Sequence, residues 1–83
     1  MTTTQHLARR ERVAAAMRAA MGDRNVNRAD LARLMKGEPA KSTVYRYWAG
    51  ERDISIPDLE AMCVAAGIDV LAVMRAAMAR RAP

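Results

Sequence analysis

Apolar side chains recur along this chain at three- and four-residue intervals, in blocks separated by breaks that carry glycine or proline. In the first block, Leu7, Val13, Ala14, Met17 and Met21 fall on one face of a helix predicted from about Thr4 to Met21. Thr2 to Thr4 can supply its N-cap. Arg9 and Arg12 point away from the apolar face, and Arg10 lies on the apolar side near the start, where it has to snorkel. Gly22 predicts the end of this helix, and Gly-Asp-Arg-Asn reads as a turn. A second helix should start at Asn27, a good N-cap, with Asp30 three residues on to complement the positive helix end. Leu31, Leu34 and Met35 form its predicted buried stripe, and Ala32 is small enough to let another helix approach. Gly37 ends it, and Pro39 prevents its continuation.

The third block predicts a helix over Lys41 to Ala49. Val44, Tyr47 and Trp48 lie at i, i+3 and i+4 and pack inward, while Lys41, Ser42, Tyr45, Arg46 and Ala49 make the opposite, polar face. Gly50 closes it, and Glu51 to Ser55 is a charged loop. A fourth helix is expected from Ile56 to Ala66, with Pro57 in the first turn, where no N–H is needed. Leu59, Met62, Cys63 and Ala66 are its core stripe, and Gly67 stops it. Asp69 caps a fifth helix that runs to about Arg80, and Arg80 to Pro83 should fray. On this last helix Val70, Leu71, Val73, Met74, Ala77 and Met78 spread over more than one face. That excess suits a homodimer interface as well as it suits simple closure of the bundle. The pattern defines an all-α fold of five helices in a single domain spanning residues 1–83.

Composition agrees with that class. Hydrophobic residues make up 52% of the 83, much of it alanine, with 4% aromatics and no Phe. Good helix formers dominate and β-branched residues are sparse. The formal net charge of +5 adds something new. A basic surface suits DNA, RNA or an anionic membrane, against the plainer reading that arginine here is a solvating helix former. A lone cysteine, Cys63, excludes an internal disulfide and a cysteine-based zinc site, and with one histidine, His6, no metal site is expected. Cys63 reads as a small buried hydrophobe and His6 as an exposed terminal residue. No apolar run has the length of a membrane span and no secretory signal stands at the start, so a cytoplasmic location is expected. No carboxylate pair, nucleophile with its base, or phosphate loop is visible; neither enzyme activity nor a cofactor is expected.

The segment from Val26 to Gly50 carries the functional signal: short helix, polar connector, short helix. This is the layout of a helix-turn-helix, with the motif over about residues 27–50, whose second helix enters the major groove of double-stranded DNA. Such a helix has to be pinned from behind and polar in front. Lys41 and Ser42 occupy the first turn, where side chains reach base edges; lysine can donate to guanine O6 or N7, and serine can serve several bases. Tyr45 can touch a thymine methyl or a phosphate one turn on, and Arg46 can read a guanine or hold a phosphate. The start of the second helix offers N–H groups to a phosphate with Arg28 beside it, and Arg52 and Ser55 can hold the backbone of the other strand.

Asn27-Arg28-Ala29-Asp30-Leu31-Ala32, followed by Ser42-Thr43-Val44-Tyr45-Arg46-Tyr47-Trp48-Ala49-Gly50, resembles the phage repressor and Cro type of helix-turn-helix, the lambda-repressor-like family. Ile56-Pro57-Asp58-Leu59-Glu60-Ala61-Met62 and Ala65-Ala66-Gly67-Ile68-Asp69 look like its fourth helix and the link to a fifth. The resemblance covers about Val26 to Leu71. It implies a five-helix DNA-binding domain, usually dimeric on a palindromic operator, acting as a transcriptional regulator. By position it makes Lys41, Ser42, Tyr45 and Arg46 base-facing residues, and Asn27, Arg28 and Arg52 phosphate-binding ones. One departure concerns the connector. Gly37 comes five residues after Ala32 rather than four, and Glu38-Pro39-Ala40 make the link about two residues longer than usual. Glu38 then falls near the DNA-facing side, where it can pair with Lys41 or accept from a cytosine amino group. Two other readings share the helices: an antitoxin that binds a toxin and represses its own operon, and a purely protein-binding helical module.

Overall fold

The computed structural model describes the backbone of residues 2–80 and the side chains from Arg9 to Arg80. The chain folds into α1 (Thr2–Asp23), α2 (Arg28–Met35), α3 (Lys41–Ala49), α4 (Ile56–Ala66) and α5 (Val70–Ala79), with no strand among the described residues. The expected facing of Leu7 and His6, and the fraying of residues 81–83, lie outside the described residues.

The cap signals in the sequence set most of the helix ends. Asn27 caps α2 through a reciprocal capping box: its side chain accepts from the Asp30 N–H at 2.8 Å, and the Asp30 carboxylate accepts from the Asn27 N–H at 3.2 Å. The Ser55 hydroxyl accepts from the Asp58 N–H at 3.2 Å to start α4, and the Asp69 carboxylate accepts from the Leu71 N–H at 3.0 Å to start α5. Gly50 and Gly67 end α3 and α4 in the left-handed conformation, with φ of 75° and 72°.

Three ends differ from expectation. Helix α1 already runs from Thr2, so Thr3 and Thr4 lie within the helix and its start is two residues earlier than the cap reading placed it. Gly22 does not stop α1, which continues to Asp23. The reversal falls on Asn25, at φ 59°, and the Val26 N–H donates back to the Met21 carbonyl at 2.9 Å. Asparagine tolerates the left-handed region nearly as well as glycine does, so it takes the role three residues later. At the end of α2 the left-handed turn begins on Lys36 (φ 54°) and continues through Gly37 (φ 87°). The Glu38–Pro39 peptide bond is cis.

The long α1 packs across α5 and α3, α2 packs on α3 and α4, and α4 packs on α5. Where they meet, Met17, Met21, Leu31, Val44, Met62, Cys63 and Val73 are fully enclosed, and no polar side chain is buried with them among the described residues. Ala14 and Ala16 let α1 lie close to its neighbours. Burial pushes the Cys63 thiol pKa up, with the Asp69 charge adding to it, so the thiol stays protonated and inert. Leu34 departs from its predicted place: it is 43% exposed, while Leu31 and Met35 alone anchor α2. At about 100° per residue, Leu34 stands about 80° round from the axis of that pair, too far for an eight-residue helix to bury it.

Met62→Ala should cost about 2–5 kcal/mol, a large part of the roughly 4–12 kcal/mol available to a chain of this size. Val64→Ala on the same helix, where Val64 is 78% exposed, should change stability by less than about 0.5 kcal/mol. Urea unfolding of the two variants checks the inside and outside of α4; equal losses would mean that α4 is rotated.

Candidate nucleic-acid interface

Helix α3 has two unlike faces. Val44 and Tyr47 are buried and Trp48 is half-buried against the edge of the core, so its back is held as the spacing predicts. Lys41, Ser42 and Arg46 on its front are exposed. Tyr45, on the same front, is half-buried beneath two cations: the Arg28 guanidinium lies 4.5 Å from the ring centroid and the Lys41 ammonium 5.5 Å. Cation–π contact therefore joins the start of α2 to the first turn of α3 and fixes where both charges stand. The first turn of α3 is itself open. Ala40 occupies the N-cap and offers no side-chain oxygen, so the leading N–H groups of α3 have no side-chain acceptor. They point the same way as the positive end of the helix dipole.

The predicted site residues divide into two groups. Arg28, Lys41 and Tyr45 come together near the start of α3 with Ser42 in the same first turn, while Arg46 stands exposed in the last turn of the helix. Asn27 and Ser55 are exposed but already employed as helix caps, which leaves Asn27 mainly its Nδ2 to donate and Ser55 its hydroxyl proton. The capping box also occupies the N–H groups of Asn27 and Asp30, so fewer donors remain at the start of α2 than a bare helix end would offer. Asp30 brings a negative charge there too, and Arg33 pairs with it. Arg52 is exposed, with its guanidinium 5.8 Å from the Tyr47 ring centroid. Glu38 makes no ion pair with Lys41, whose charge is turned to Tyr45 instead. The connector from Lys36 to Ala40 has five residues, longer than a tight helix-turn-helix turn of three or four.

Three structural partners of α3 were not evident from the sequence. Arg18 donates to the Trp48 carbonyl at 2.6 Å, and Arg10 donates to the Glu51 carbonyl at 3.1 Å while its Nε stands 3.8 Å from Asp53. Both arginines belong to α1 and satisfy carbonyls at or just past the C-terminal end of α3, where a cation also suits the dipole. The signal for Arg18 was its place one residue after Met17 and three before Met21, at the edge of the buried stripe. The third partner is Asp58, whose carboxylate accepts from the Tyr47 hydroxyl at 2.5 Å.

Searches against protein-family models, curated proteins and solved structures give no match to this chain. Among the described residues, no single helix is long and apolar enough to cross a membrane, and no cluster of His, Cys, Asp or Glu could hold a metal ion.

The Tyr47 pKa is raised, first by burial and then by the Asp58 carboxylate that its hydroxyl faces. A raised folded-state value means that the native protein holds this proton more tightly than the unfolded chain does. The associated stability is complete below the ordinary tyrosine value of about 10 and is lost as pH rises through the folded-state value. Thermal unfolding followed from pH 8 to 11 should therefore show stability falling above about pH 10. Tyr47→Phe should lose about 1 kcal/mol at neutral pH and flatten that alkaline fall. An unchanged alkaline slope in Tyr47→Phe would assign the transition to another group.

Proposed function

We propose that this protein is a sequence-specific double-stranded DNA-binding regulator, with α3 lying in the major groove in the manner of the phage repressor and Cro type of helix-turn-helix. The observation that carries this reading is the front of α3. Lys41, Ser42 and Arg46 project from a helix whose back is locked into the core, and Tyr45 carries the Arg28 and Lys41 cations on its ring. A rigid helix with a polar, cationic, uncapped leading turn is what base-edge readout requires. The net charge of +5 supplies the long-range attraction to phosphate.

Roles follow from position. Lys41 and Ser42 lead into the groove, and Arg46 follows one turn behind. Tyr45, on the same face, meets a thymine methyl or a phosphate. Arg28 and Arg52, on either side of α3, hold phosphates and fix the docking register. A regulator of this kind acts by occupancy, covering an operator that RNA polymerase needs.

Duplexes selected from a random pool by the full chain, then compared with scrambled duplexes by fluorescence anisotropy across salt concentrations, test this reading. With roughly five phosphate contacts per subunit, log Kd should change with log salt at a slope near 4 to 5 in magnitude. Lys41→Ala and Ser42→Ala should relax preference at particular base pairs, by about 1–3 kcal/mol each. Arg52→Ala should weaken all duplexes alike and reduce the slope by about 1. It is the cleaner phosphate probe, because Arg28 also seats Tyr45. Equal affinity for selected and scrambled duplexes would sink the proposal, and a uniform loss from Lys41→Ala would move base readout to other residues.

A further inference from the structure

Tyr45 is where α2 and α3 meet on the exposed side of the motif. The Arg28 guanidinium lies 4.5 Å from the centroid of its ring and the Lys41 ammonium 5.5 Å. The ring also packs against the edge of the core, so Tyr45 is half-buried while both cations are exposed. Neither cation has a carboxylate partner among the described residues. Asp30, the acidic residue nearest to Arg28 in sequence, is taken by Arg33 and by the Asn27 capping box.

The neighbours of the ring decide which group of DNA it meets, on the reading that α3 lies in the major groove. A phosphate would bind the two cations before the phenol, because charge-assisted hydrogen bonds are roughly twice as strong as neutral ones. The part of Tyr45 left over is apolar carbon. The apolar group that a base edge offers in the major groove is the C5-methyl of thymine. Such a contact is unforgiving: a gap of about 0.5–1 Å forfeits roughly a quarter to a half of the dispersion energy. The methyl is therefore felt only by a ring that cannot drift. Lys41 shares α3 with Tyr45 and moves with it, so it cannot fix the ring against the rest of the motif. Arg28 comes from α2, makes the closer of the two contacts, and ties the ring to that helix across the five-residue connector.

We propose that Arg28 is a specificity-determining residue: by holding the Tyr45 ring in place it makes the protein select thymine at one base pair through the C5-methyl. In this role it is a positioning residue, since it acts on that base through Tyr45. Its charge still serves a phosphate, so one side chain couples the grip on the backbone to the choice of base. The proposal rests on the DNA-reading role of α3 and adds a base and an atom to it.

Replacing each thymine of a selected duplex in turn by deoxyuridine removes the methyl alone. The wild-type chain should lose about fourfold in affinity at one thymine, the worth of one buried methyl. Arg28→Ala should bind the thymine and deoxyuridine duplexes alike although Tyr45 is still present, and Tyr45→Ala should do the same. Tyr45→Phe keeps the ring and should keep the ratio. Arg52→Ala should weaken both duplexes and leave the ratio unchanged, which a loss of phosphate contact alone also predicts for Arg28→Ala. Arg28→Gln, checked by circular dichroism, should lose the ratio as well and keeps the test valid if Arg28→Ala disturbs the start of α2. A ratio that survives both Arg28 substitutions would overturn the proposal and leave the DNA reading standing. So would a selected duplex in which no thymine can be told from deoxyuridine, or loss of the ratio in Tyr45→Phe, which gives the contact to the phenol. Equal wild-type affinity for selected and scrambled duplexes would instead overturn the reading beneath it.

Discussion

The grip of α1 on the carbonyl end of α3 is the constraint from which the candidate interface follows. A nine-residue helix has little stability of its own, because nucleation costs more than so few hydrogen bonds return. Packing of Val44 and Tyr47 fixes its back, but packing alone allows sliding and rotation. Arg18 on the Trp48 carbonyl and Arg10 on the Glu51 carbonyl fix the far end along its axis. Charge-assisted bonds of this kind are each worth roughly 1.5–3 kcal/mol when shielded, less where water reaches them. Tyr47 adds a third tether through Asp58 to the start of α4. The Glu11 carboxylate lies directly over Gly50, whose positive φ makes the turn that brings α1 and α3 so close. The front of α3 is consequently presented by α1 and α4 together, and its exposed side chains are carried on a stiff support.

The pair of cation–π contacts does for the leading end of α3 what the arginines do for its trailing end. Arg28 belongs to α2 and Lys41 to α3, and both rest on Tyr45. Five connector residues with two successive left-handed positions would give the two helices considerable freedom. Tyr45 limits it by tying the helices together beyond the connector. The longer link is thus compatible with a well-defined pair of helices. Trp48 is less enclosed than its size suggests, and its backbone carbonyl matters as much to the assembly as its ring.

The starts of α2 and α5 were legible because short polar side chains act on their own backbone, at Asn27 and Asp69; Ser55, read only as a phosphate contact, caps α4 in the same way. The faces of α3 and α4 were legible for the same local reason, a 3.6-residue period with strong contrast. What escaped was tertiary. Gly22 looked like a stop, yet a glycine costs only about 1 kcal/mol inside a helix, and Asn25 supplied a turn that hydrogen bonds could complete. Leu34 looked buried, but a short α2 had room for only two anchors. Asn27 and Ser55 suggested phosphate contacts by position, and their oxygens also accept from helix N–H groups as caps, which leaves the Asn27 Nδ2–H and the Ser55 O–H as the donors a phosphate could use. Arg10 was expected to snorkel past the apolar face and Arg18 carried no reading, because no sequence pattern records that a carbonyl lies 41 or 30 residues away.

The interior is lined by methionine where many domains of this size would use phenylalanine. Thioethers are oxidisable, and their sulfoxides are polar and chiral, a poor fit to a core that encloses no other polar side chain among the described residues. Shielding divides the sulfur atoms into two populations. Met17, Met21 and Met62 are sealed, whereas Met74 and Met78 face solvent on α5. Peroxide would therefore reach the outer face of α5 while the fold still stands, turning it polar before any core residue is touched. The molecule would change its surface first and lose its structure only afterwards, an order that peptide mapping after mild oxidation would read directly.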